Sequence, residues 1–121
     1  MADALTITVR SERGAVIAAV TGEIDISTVA QLRERLYELA DNGGTLIVDL
    51  NRVTFIDSSG LGALVGAARR AAAHGGSLHV VCARPKICQL FRLTGLDRRL
   101  APTRTLDEAL DAAVAARSIP C

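Results

Sequence analysis

The feature that most restricts how this chain can fold is the run Leu46-Ile47-Val48-Asp49-Leu50, apolar but for one aspartate. A strand open to water on one side would alternate, whereas an unbroken Leu/Ile/Val run suits a parallel strand buried on both faces. It is followed by Thr54-Phe55-Ile56-Asp57-Ser58-Ser59-Gly60-Leu61-Gly62 and then by Leu61, Leu64, Val65, Ala68 and Ala72, which recur at the spacings of a helix face. The segment reads as strand, loop and helix N-terminus. A helix leaves its first N–H groups unpaired, so Asp57, Ser58 and Ser59 are all candidate caps. Capping is the preferred reading for Ser59.

The flanking sequence supplies the partners such a strand needs. Leu5-Thr6-Ile7-Thr8-Val9-Arg10 alternates, Ser11-Glu12-Arg13-Gly14 has turn chemistry, and Ala15 to Thr21 is a second extended run, which together make a hairpin. Gly22-Glu23-Ile24-Asp25 is expected to break it. Thr28 and Gln31 have capping-box spacing, and Val29, Leu32, Leu36 and Leu39 form one face of a helix over about 27–41, stopped by Asn42-Gly43-Gly44. The second helix ends at His74-Gly75-Gly76, and Ser77 to Cys82 is the next strand. Pro85 opens a third helix with Ile87, Leu90, Phe91 and Thr94 on one side and Gly95 as its stop. Leu100-Ala101 reads as a short edge strand closed by Pro102, and Thr105-Leu106-Asp107-Glu108 as a capping box before a helix with Leu106, Ala109, Leu110 and Ala113 on one face. The order is ββαβαβα(β)α. It predicts a mixed α/β sheet of four or five strands with an N-terminal hairpin, about four helices mainly over one face, and right-handed crossovers. Gly62 and Gly66, with Ala63 and Ala67, give the second helix a smooth side for close approach to a neighbour.

A chain of 121 residues, half of them apolar, fits one domain over 1–121 with its core in about 5–115 and frayed ends at 1–4 and about 116–121. The net charge of +1 and the scarcity of aromatic residues argue against a nucleic-acid partner. No apolar run reaches the length of a membrane span, and Met1-Ala2-Asp3-Ala4 lacks the regions of a signal peptide, so the expected location is the cytoplasm. Cys82, Cys88 and Cys121 match no zinc spacing, and His74 and His79 do not pair with them, so neither a metal nor a cofactor is expected.

Two enzyme readings of the central loop fail on detail. Ile56 stands where a nucleophile elbow needs its first glycine. Gly60-Leu61-Gly62 at a helix start could attract an anion, but no lysine follows in the P-loop position, and Gly60, Gly62 and Gly66 miss the dinucleotide spacing.

The same loop, Asp57-Ser58-Ser59-Gly60-Leu61-Gly62, resembles the phosphorylatable loop of bacterial anti-sigma factor antagonists of the STAS superfamily. The similarity runs from about Leu5 to Val114 and includes Thr21-Gly22-Glu23-Ile24-Asp25, Leu46 to Leu50, Val53 to Gly62, and Leu90-Phe91-Arg92-Leu93-Thr94-Gly95-Leu96-Asp97. The resemblance implies the STAS fold, with Ser58 as phosphoacceptor in a non-enzymatic switch. It implies that the unphosphorylated protein binds an anti-sigma factor, usually a serine kinase of the histidine-kinase-like ATPase fold, and so frees a sigma factor. Phosphorylation of Ser58 would end the interaction, and a phosphoserine phosphatase would restore it. Glu23, Asp25, Asp57, Ser58, Ser59, Gly60 and Gly62 are the implied partner-binding residues; Asp25 has the alternative role of capping the first helix. A weak homodimer is compatible with this reading. The alternative within the same fold is a regulatory subunit of an ABC transporter or a stress-signalling assembly.

Overall fold

The protein is described here by a computed structural model covering residues 5–117, without the side chains of 116 and 117. The fraying expected at 1–4 and at the chain end, and the thiol of Cys121, lie outside the described residues. The elements are β1 (Thr6–Glu12), β2 (Ala15–Ile24), α1 (Val29–Ala40), β3 (Thr45–Ile56), α2 (Ser58–Ala73), β4 (Ser77–Val81), α3 (Pro85–Leu93), α4 (Leu96–Leu100) and α5 (Leu106–Arg117).

The strands lie in the order β1-β2-β3-β4. The hairpin partner β1 runs antiparallel to β2, while β2, β3 and β4 are mutually parallel, so the sheet is mixed as its alternation predicts. The β1–β2 turn places Arg13 and Gly14 at positive φ, 49° and 78°, the backbone that matches strand twist in a two-residue hairpin. Two crossovers of one hand, each stepping one strand further across the sheet, put α1 and α2 on the same face. Leu32 and Leu36 of α1 and Leu61 and Leu64 of α2 meet Val20, Val48, Leu50 and Val80 there, with Ile87 and Phe91 of α3 in the same core. The opposite face of the sheet, Ala15, Ile17, Ile47 and Val81, is covered by Ala109 and Leu110 of α5. This two-sided cover explains the central run: Leu46, Val48 and Leu50 serve one core and Ile47 the other. Asp49 falls on the second face where it is only half-buried, and its carboxylate accepts the N–H of Asn51 at 3.0 Å.

Several local expectations change. β2 does not break at Gly22 but continues to Ile24 through register shifts against β3, and Gly22 takes φ 120° within the strand. The capping box expected at Thr28 does not form. Thr28 Oγ1 turns back to donate to Glu23 O at 2.8 Å, and Gln31 Nε2 donates to Leu5 O at 2.8 Å, binding α1 to the start of the hairpin instead. The capping box at Thr105 does form: Glu108 N donates to Thr105 Oγ1, and Thr105 N to Glu108 Oε1, both at 3.1 Å. Leu100-Ala101 is not a strand. Leu96 and Leu100, four apart, turn one face of the extra helix α4 to the core, and the sheet edge is met by Thr103, whose N–H reaches Val80 O at 2.9 Å. Pro102, having no N–H, could not make that bond.

The smooth side of α2 forms through Ala63, Gly66 and Ala67, but Gly60 takes part in it and Gly62 does not. A methyl at Gly60 would come within 2.6 Å of both Ile24 Cγ2 and Ile56 Cγ1, and one at Gly66 would strike Tyr37, whereas Gly62 has open space around it. Gly60→Ala is therefore expected to destabilise the protein by about 1–3 kcal/mol through overpacking. Gly62→Ala is expected to be neutral or to stabilise by up to about 1 kcal/mol through helix propensity. Urea unfolding of the two variants checks this contrast, and equal effects would refute it.

Candidate functional site

The parallel pairing of β2 with β3 brings two loops together. Ile24 and Ile56 are register partners at the strand ends, both buried, and Asp57 N donates to Ile24 O at 3.3 Å. Each isoleucine is followed by an aspartate that turns the chain into a helix. Asp25 Oδ1 accepts Ser27 N at 2.9 Å, Ser27 Oγ at 2.6 Å and Thr28 N at 3.2 Å. Asp57 Oδ1 accepts Ser59 N at 2.9 Å, Ser59 Oγ at 2.5 Å and Gly60 N at 3.3 Å. One Asp-x-Ser turn is thus used twice, side by side.

The two carboxylates sense the same chemistry. The Ser27 hydroxyl chiefly holds Asp25 below the usual carboxylate range, and the Ser59 hydroxyl does the same for Asp57. Asp25 opposes the lowering at Asp57 by charge repulsion, which places the two carboxylates in one electrostatic neighbourhood. Among the described residues, the hydrogen bonds to each fall on Oδ1, leaving Oδ2 available.

The middle residue of each turn projects outward. In the first turn it is Ile26, 84% exposed; in the second it is Ser58, exposed, with no hydrogen bond to its hydroxyl among the described residues. Ser58 is the first residue of α2, so its hydroxyl stands where the helix dipole favours negative charge. Gly62, exposed one turn further on, shares its side. Ser58, Gly62 and Val65 line a groove of about 590 Å³ with Tyr37 of α1 and Leu96 of α4.

The other sequence candidates take distinct places. Glu23 is exposed and precedes Ile24; its register partner in β3 is Phe55. Ser59 is half-buried and occupied with Asp57. Gly60 is buried against Ile24 and Ile56, so it supports this surface from beneath and presents nothing to a partner. Ile26, Phe55 and Leu93 are exposed apolar residues to which the sequence assigns no role. Phe55 and Leu93 share a shallow hollow of about 350 Å³ with Leu90, Thr54 and Lys86. The doubled Asp-x-Ser pattern was a readable clue to Ile26, because it sets Ile26 in the position of Ser58.

Among the described residues, no histidine reaches Ser58 or Ser59. His74 caps the far end of α2, whose 16 residues span about 24 Å, and His79 contacts Ser77 on β4. A free hydroxyl at a helix start, beside carboxylates and exposed apolar side chains, suits modification and recognition.

Comparison with known proteins agrees with this geometry. The model of the STAS domain matches residues 6–110. The anti-sigma-F factor antagonist RsfB of Mycobacterium tuberculosis is 35% identical over 111 residues, 89% of this chain and 88% of that protein. An anti-sigma factor antagonist from Mycobacterium paratuberculosis superposes with a TM-score of 0.83 at 31% identity, covering 90% of this chain and 93% of the other. The Bacillus cell-fate determinant SpoIIAA, an anti-sigma factor antagonist, matches in its unphosphorylated form with a TM-score of 0.73 at 27% identity, covering 96% of this chain and all of that one. Its phosphorylated form gives 0.66 over 88% of this chain and 98% of the other.

The cap makes a pH-dependent contribution whose sign is determined. Because the folded-state pKa of Asp57 is lowered, its stabilisation is present above the unfolded value of about 3.9 and is lost as pH falls through the folded value. Asp57→Ala is expected to cost about 1 kcal/mol at pH 7, and Asp57→Asn, which keeps the capping oxygen, a few tenths. In urea titrations the gap between wild type and Asp57→Ala should begin to narrow as pH drops below about 4 and narrow further as pH falls through the lowered folded value; a gap that does not change with pH would show that the carboxylate charge does not matter to the turn.

Proposed function

This chain belongs to the STAS-domain family, and from that premise we propose that it is an anti-sigma factor antagonist switched by phosphorylation of Ser58. The observation that carries the reading is Ser58 itself, exposed, with no hydrogen bond to its hydroxyl among the described residues, at the N-terminus of α2, next to Asp57 in the chain and on the rim of an open groove. The antagonist relatives, and the two forms of SpoIIAA, support it. The protein is then the substrate and partner of a kinase, acting in the cytoplasm, and not itself a catalyst.

In the unphosphorylated state the surface offers Ser58 and Gly62 of α2, the two free Oδ2 atoms of Asp25 and Asp57, and the exposed Ile26 and Glu23. An anti-sigma factor that is a serine kinase of the histidine-kinase-like ATPase fold would seat this loop at its active site, releasing the sigma factor. Transfer of phosphate to Ser58 Oγ adds about −1.5 to −2 charge. The helix N-terminus tolerates that charge, so the fold persists. The partner interface does not, because the phosphate sits beside Asp57 and Asp25 and must be desolvated against a fitted surface. Turning binding from nearly complete to nearly absent takes about 5.5 kcal/mol, which an unpaired dianion at a closed interface can supply. A phosphoserine phosphatase resets the switch.

Two experiments test this. Affinity capture with wild type and Ser58→Asp should recover an ATPase with the first and lose it with the second, while Ser58→Ala keeps binding but takes up no phosphate from that kinase. Labelling of Ser59 in Ser58→Ala at near wild-type rate would reassign the acceptor. For Asp25, Asn preserves the Oδ1 turn, so Asp25→Asn should leave stability close to that of wild type. Its affinity for the kinase should fall at least about tenfold, or 1.4 kcal/mol, if Oδ2 receives a partner Arg or Lys. An affinity within twofold of wild type would reduce Asp25 to a cap.

A further inference from the structure

Away from this surface, two thiols meet. Cys82 follows β4, buried, with its N–H held by Thr103 O at 2.7 Å. Cys88 lies in the first turn of α3, half-buried, and its Sγ donates to Cys82 O at 3.2 Å and rests 3.7 Å from Cys82 Sγ. Both border a cleft of about 600 Å³ that Pro85, Arg92, Asp97 and Arg104 also line. Of the residues joining them, Ala83, Arg84, Pro85 and Lys86 are exposed, while Ile87 is anchored in the core and holds the first turn of α3 against the end of β4.

We propose that Cys82 and Cys88 are a redox-responsive pair that closes to an intramolecular disulfide when a peroxide enters this cleft. Cys88, the more accessible sulfur, reacts first: its thiolate attacks one oxygen of hydrogen peroxide, the S–O bond forms as the O–O bond breaks, and the departing hydroxide takes up a proton to leave as water. Cys82 then attacks the Cys88 sulfenic sulfur; the S–S bond forms, the S–O bond breaks, and hydroxide leaves as water with the Cys82 proton. Two thiols lose two electrons, and one peroxide becomes two waters. Burial pushes the Cys82 thiol up to about 12, so Cys82 is not the first to react, and it gives up its proton only as it attacks the adjacent Cys88 sulfenic sulfur. The product ties the end of β4 to the first turn of α3, the helix that carries Leu90 and Leu93 to the hollow at Phe55. Disulfides in reducing compartments are mainly transient and signalling ones.

The test uses the full chain bearing Cys121→Ser, so that the third thiol cannot intervene, exposed to stoichiometric hydrogen peroxide. The expected result is a monomer that loses both free thiols to alkylation, yields peptides joined through Cys82 and Cys88, and recovers both thiols with dithiothreitol. Adding Cys82→Ala should leave Cys88 as a sulfenic acid trapped by a 1,3-dione, with no internal cross-link. With Cys88→Ser, Cys82 should remain alkylatable after denaturation. The proposal is overturned if both thiols survive in the Cys121→Ser protein, if cross-links form only between chains, or if Cys88 passes to sulfinic acid while Cys82 stays free. That single protein decides the matter even where a double variant does not fold.

Discussion

The structure depends on the parallel registration of β2 with β3, from Ala15 against Thr45 to Ile24 against Ile56. Parallel strands cannot be joined by a tight turn, so this pairing demands a crossover, and the crossover is α1. It also demands cover on both faces, which α1 and α2 supply on one and α5 on the other. Most of all, it makes two strands end at the same level. Burying Ile24 and Ile56 there contributes about 1.5–3 kcal/mol each, enough to hold the two following turns in register with one another.

Those turns show how a structural device becomes a surface. A carboxylate that satisfies N–H groups through one oxygen keeps the other, and a turn that directs its third residue inward directs its second outward. Repeating it places Ile26 and Ser58 outward beside two carboxylates. Gly60 completes the arrangement from below, since any side chain there would push α2 away from the isoleucines and lift Ser58 with it. The exposed serine is therefore held by rigid elements, while its own hydroxyl stays free. Under the switch proposed for Ser58, a phosphate there would leave the fold in place, and the response to its charge would fall on whatever is bound.

Much of this was legible in the chain. The alternation of residues 5–10, the unbroken run 46–50 and the helical spacings after Leu61 and Pro85 are local patterns, and each local pattern formed its element. The capping box at Thr105 formed because the donors that Glu108 meets, the N–H groups of Thr105 and Arg104, both lie at the helix start, whereas Gln31, with the same spacing from Thr28, was drawn to Leu5 O across the fold. Leu96 and Leu100 suit a helix face as well as a short strand, and only packing on the core chose between them.

The sequence by itself determined most of the order of elements and the two-sided burial of β3, because these rest on periodicity and on apolar content; Ser58 stood out through the resemblance of its loop. Only the tertiary structure decided that Asp25 and Asp57 are neighbours, that Gly60 is buried while Gly62 is open, that Ile26 and Phe55 are exposed, and that Cys82 touches Cys88. Those facts depend on strand register and on how closely helices approach the sheet. Both are set by the summed packing of residues far apart in the chain, and no local pattern encodes them.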